Sequence, residues 1–159
     1  MLRASLLATV LTLGLATAAS AATLHFTASL DGKSEVPATK SAGYGDLLAT
    51  LDTSTKTLSY TLTFGGLTGP ATAAHFHGPA APGANAGVAV AIGKAPTSPA
   101  SGKATLTAPQ IADLEAGKWY VNVHTAANPG GEIRGQVKSD TAAMPAKSKG
   151  KAMAMPTKK

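Results

Sequence analysis

Apolar and polar residues alternate along most of this chain with a period of two, the signature of half-buried strands rather than helices. In TLHFTASL (23–30), Leu24, Phe26, Ala28 and Leu30 share one face, and His25, Thr27 and Ser29 the other. YGDLLATLD (44–52) turns Leu47, Ala49 and Leu51 inward, and KTLSYTLTF (56–64) does the same with Leu58, Tyr60, Leu62 and Phe64. The polar link DTSTK (52–56) has the length of a hairpin between these two strands. GGLTGP (65–70) interrupts the pattern before a fourth strand near 71–77. GVAVAI (87–92), GKATLT (102–107), KWYVNVHT (118–125) and GEIRGQV (131–137) complete eight. A short helix is predicted near 108–116, with Thr107 to cap it, Pro109 in its first turn and Gly117 to stop it. Eight short strands separated by Gly/Pro turns predict an all-β fold, a Greek-key sandwich or closed barrel.

The alternation does not reach the chain ends. Residues 1–21 read as an export signal: Arg3 supplies the positive start, 6–15 the apolar stretch, and Ala19 and Ala21 the small-residue cleavage site. That stretch falls short of the ~20 residues that span a bilayer, and no later one is longer, so no membrane span is expected after cleavage. The expectation is a mature protein in the periplasm or outside the cell, starting near Ala22. The chain has no cysteine, so an apolar core and a hydrogen-bonded sheet must supply its stability. Residues 22–137 suffice for one modest core.

The net charge of +6 lies at the chain ends, one unit of it from Arg3. Within 22–137, Lys33, Lys40, Lys56, Lys94, Lys103, Lys118 and Arg134 are balanced by Asp31, Glu35, Asp46, Asp52, Asp113, Glu115 and Glu132. The surplus lies in 138–159, where Lys138, Lys147, Lys149, Lys151, Lys158 and Lys159 face Asp140 alone. Such a Lys/Met/Ala-rich segment reads as a solvated, disordered tail able to touch anionic surfaces. Export argues against nucleic acid as a working partner. Met144, Met153 and Met155 carry thioethers of the kind that suit Cu(I), but within a lysine-rich tail they read as incidental.

Strand geometry gives the candidate chemistry. Alternate side chains point the same way, so His75 and His77 share a face while Ala74 and Phe76 take the other. Tyr120, Asn122 and His124 are likewise opposed to Trp119, Val121 and Val123. Glu132, Arg134 and Gln136 are opposed to Ile133 and Val137. If these strands are neighbours, the three polar rows form one patch of imidazole, carboxylate and guanidinium.

AAHFHGPAAPGANAGVAVAI, followed by LTAPQIADLEAGKWYVNVHTAANPGGEIRGQV, resembles the CHRD domain, a module named after the animal protein chordin and found in bacterial exported proteins. The similarity runs from about Leu24 to Val137 and is most specific at His75-Phe76-His77-Gly78-Pro79 and from Trp119 through Gln136. It implies an immunoglobulin-like β-sandwich. In chordin the role is extracellular ligand binding in growth-factor regulation. This chain lacks the cysteine-rich modules that accompany the domain there, so that role is not carried over.

Three readings compete for the patch. A His-x-His pair with a third histidine on a neighbouring strand suits Zn²⁺ or Cu²⁺. Copper-zinc superoxide dismutase places such a pair on a similar sandwich, though its remaining ligands have no counterparts here; a dismutase-like redox activity would first require bound copper. Alternatively, Tyr120, Asn122, Glu132, Arg134 and Gln136 tie loops to the sheet, Arg134 offering a planar fork to loop carbonyls. Third, the patch takes a small ligand or an extracytoplasmic partner. No nucleophile elbow, zinc-protease motif or phosphate loop occurs. The sequence therefore favours a non-catalytic binding or structural module, with copper or zinc binding through His75, His77 and His124 as the alternative.

Overall fold

A computed structural model describes residues 22–140 of the chain. It contains β1 (Thr23–Asp31), β2 (Tyr44–Asp52), β3 (Thr57–Gly65), β4 (Ala71–His77), β5 (Val88–Lys94) and β6 (Ala100–Thr105). Helix α1 (Ala108–Glu115) follows, then β7 (Tyr120–Thr125), β8 (Ile133–Gln136) and β9 (Lys138–Ser139). The fold is all-β with one short helix, as expected, and every strand pairing is antiparallel.

The strands run in the order β5-β4-β7-β8-β1-β2-β3-β6, and the two ends, β5 and β6, lie against one another. The sheet is thus a nearly closed barrel. The links β3–β4, β5–β6 and β6–β7 pass between its halves, which gives the Greek-key connectivity.

The inward rows named above fill the interior: Phe26, Leu47, Leu51, Leu58, Leu62, Phe76, Val121, Val123 and Ile133 are all almost wholly buried. Trp119 joins them, its ring 6.0 Å from that of Phe76, with Tyr60 on the other side of Phe76 at 5.2 Å. Burying such side chains stabilises the fold by about 1.5–3 kcal/mol each. Helix α1 contributes Leu114 to the core. The Thr107 hydroxyl and the Gln110 side chain cap its start reciprocally. Gly117, at φ +69°, ends it: the Gly117 N–H bonds Leu114 O and the Lys118 N–H bonds Asp113 O.

Most strand ends shift by one or two residues from expectation, and two of the differences bear on the site and the tail. The barrel does not end at Val137: β9 pairs Ser139 with Phe26 and Lys138 with Thr27 along β1, and the Asp140 N–H bonds His25 O. The start of the expected tail is therefore part of the sheet, because a free stretch of β1 edge can still accept backbone hydrogen bonds there. Strand β8 begins at Ile133, leaving Glu132 just outside it. The expected signal with Ala19 and Ala21, and the tail from 141 onward with its methionines, lie outside the described residues.

Candidate metal centre

Strand β4 carries His75 and His77, and β7 pairs with it along nearly its whole length. His77 stands opposite Tyr120, His75 opposite Asn122, and Ala73 opposite His124. On the far side of β7, Asn122 pairs with Arg134 and Tyr120 with Gln136 of β8. The residues expected on one face of three strands are therefore neighbours, with the exception of Glu132.

The three imidazoles converge. Ring centroids are 5.0 Å apart for His75 and His124, 5.5 Å for His75 and His77, and 6.3 Å for His77 and His124. One ring nitrogen from each lies within 4.8 Å of the others. Backbone carbonyls fix two of the tautomers, since a carbonyl can only accept. His77 Nδ1–H donates to Ala86 O at 3.0 Å, and His124 Nδ1–H to Pro129 O at 3.0 Å. Both Nε2 atoms are left as bare lone pairs. His124 Nε2 lies 3.1 Å from His75 Nδ1, which must then be the donor. His77 Nε2 is buried and has no partner among the described residues.

Burial pushes all three imidazoles below their ordinary range, helped for His75 by the neighbouring His124 and His77. At neutral pH they are uncharged, the form that binds metal. The carbonyls on Nδ1 of His77 and His124 are the outer contacts that orient metal-binding histidines and raise their basicity. Two ligands sharing one ion at ~2.0–2.1 Å stand roughly 3 Å apart, so the His75–His124 spacing needs little change. Among the described residues the cluster holds three such ligands and no more.

Around the histidines, the polar row pins loops. The Arg134 guanidinium lies 3.4 Å over the Tyr120 ring, which stacks on His77 at 4.8 Å and 3°. Arg134 Nη1 donates to Asn85 Oδ1 at 3.0 Å and Nη2 to Ala84 O at 2.7 Å. Tyr120 meets Ala86 through its hydroxyl, and Gln136 Nε2 donates to Ala80 O and Gly117 O. Every one of these hydrogen bonds except that to Gly117 reaches the loop 78–87, which folds over the patch.

Glu132 departs from the expected row. Its carboxylate points to the end of the barrel and accepts from Ser41 Oγ, Thr68 N and Oγ1, Thr125 Oγ1 and Asn128 Nδ2 at 2.5 to 3.1 Å. Burial raises its pKa, but the hydroxyl and amide donors of Ser41, Thr125 and Thr68 outweigh it and hold the group at about 2. Lying one residue before β8, it is not bound by that strand's alternation. His25, on β1, lines an outer groove with Thr50 and Ser59 and belongs to no metal cluster among the described residues.

Sequence reasoning missed Glu35 and Asn85. Glu35 is 5% exposed and brings a carboxylate to the patch, where burial raises its pKa. Asn85 holds Arg134 and also donates to Val36 O at 3.1 Å, joining the loop 32–43 to the loop 78–87. Neither residue sits in a periodic segment, and no local pattern marks them.

The structure is thus an antiparallel all-β barrel with three converging imidazoles on the face of β4 and β7 opposite the core. The family model for the CHRD domain matches residues 26–137, and the chain belongs to that family. Comparison with curated proteins and with solved structures gives no match.

Proposed function

We propose that this CHRD domain is a non-catalytic, exported metal-binding module that takes one Cu²⁺ or Zn²⁺ ion through His75, His77 and His124. The observation that carries the reading is the unpartnered, buried Nε2 of His77. Ala86 O occupies the Nδ1 of this ring, and one ring nitrogen of each of the three histidines lies within 4.8 Å of the others. A buried acceptor without a partner costs about 1–3 kcal/mol, which a bound ion would recover. An ion held by His75 Nδ1 would require His75 as the Nε2–H tautomer. Copper is the tighter of the two ions by the general order of divalent affinities. The surrounding Arg134–Tyr120–Gln136 network supports the structural half of the role, holding the loop 78–87 over the ligands.

Calorimetric titration of the full chain with Cu²⁺ and Zn²⁺ tests this. One ion per chain at submicromolar Kd is expected, abolished by His77→Ala with His124→Ala. Saturation at 100 times Kd adds about 2.7 kcal/mol of stability, a rise in Tm of about 10 °C. Binding unchanged in the double variant, or no rise in Tm with either ion, would overturn the reading.

A further inference from the structure

Three buried side-chain atoms lack a hydrogen-bond partner among the described residues: His77 Nε2, Asn122 Oδ1 and Glu35 Oε1. Their residues are 9%, 2% and 5% exposed, so bulk water does not serve them. The three belong to one corner of the patch. Asn122 stands opposite His75 on the paired strands, diagonally across from His77 on the same face. Gly131 faces the place where the Glu35 carboxylate and the Asn122 amide meet, and a Cβ there would collide with both. All three unpartnered atoms are acceptors: an imidazole lone pair, an amide oxygen and a carboxylate oxygen. None of the three receives a hydrogen bond from the described residues.

We infer that Glu35 Oε1 and Asn122 Oδ1 accept the two hydrogens of a neutral ligand, water, carried by the ion bound at His77. This inference rests on the metal-binding reading. An ion takes the lone pair of His77, and its water offers two donors to the two oxygens, so one species satisfies all three atoms. Three protein ligands leave a tetrahedral ion one position for such a molecule. The arrangement also sets selectivity. An anionic ligand would present lone pairs to two acceptors, one of them a carboxylate, and is disfavoured by repulsion and lost hydrogen bonds. The site therefore admits neutral hydrogen-bond donors and rejects small anions.

Azide titration of the Cu²⁺-loaded full chain at pH 8, read from the copper–azide charge-transfer band, is the test. Glu35→Gln removes the carboxylate charge at constant shape and is expected to tighten azide binding to the copper-loaded protein at least tenfold. Asn122→Leu, which removes the second acceptor, is expected to tighten it in the same direction. Azide affinity within twofold of the parent in both copper-loaded variants would overturn the inference and leave the metal site standing. A parent chain that takes up no Cu²⁺ would overturn both.

Discussion

Two buried polar clusters sit on adjoining parts of this barrel, built from the same kinds of residue and finished differently. At Glu132, five donors from three separate segments surround one carboxylate. At the histidines, carbonyls and an asparagine hold the rings and the arginine in place, yet three acceptors are left unserved. A saturated network has nothing to offer a ligand and serves the fold. A network that is rigid but unsaturated is arranged for something that binds. The contrast separates the loop-pinning and metal-binding readings by residue: Glu132, Arg134 and Gln136 anchor, whereas His75, His77 and His124 are the proposed ligands.

The sharpest way to break this contrast is at Glu132. Glu132→Ala would leave the donors of Ser41, Thr68, Thr125 and Asn128 facing each other and is expected to cost about 3–5 kcal/mol, read by denaturant unfolding, without changing Cu²⁺ affinity in the folded fraction. The same carboxylate sets an acid limit. Its pKa falls from 4.5 to about 2 on folding, so its contribution is fully present above pH 4.5 and disappears as pH drops towards 2. That contribution is about 3 kcal/mol. Glu132→Gln should flatten this acid limb, and a limb of unchanged depth would refute the assignment.

Arg134→Ala comes next. It removes the bonds to Asn85 and Ala84 and the cover on Tyr120, with an expected loss of about 2 kcal/mol in unfolding free energy. A change within a few tenths would mean that the guanidinium does not anchor the loop 78–87.

His77→Ala should have the smallest effect on the metal-free protein, about 1 kcal/mol. It loses one bond to Ala86 O and a ring stack but also removes an unpartnered nitrogen. Metal-dependent stabilisation should vanish in the same variant. A loss as large as that at Glu132 would place His77 among the anchors.

The strands and their faces were legible because alternation at Leu24–Leu30, Leu58–Phe64 and Trp119–His124 reports directly which side meets the core. That same logic brought His75, His77 and His124 onto one surface before any coordinates. It failed where the chain leaves regular strand. Glu132, outside β8, turns to the barrel end, and β9 is too short to alternate. Glu35 reaches the patch only through the path of the loop 32–43, which tertiary packing sets and spacing does not.

A diffraction experiment on Cu²⁺-soaked crystals, with anomalous data at the copper edge, tests the central claim most directly. The account predicts a single peak about 2.0–2.1 Å from His77 Nε2, His124 Nε2 and His75 Nδ1. Copper located elsewhere on the chain, with the three imidazoles bare, would contradict it.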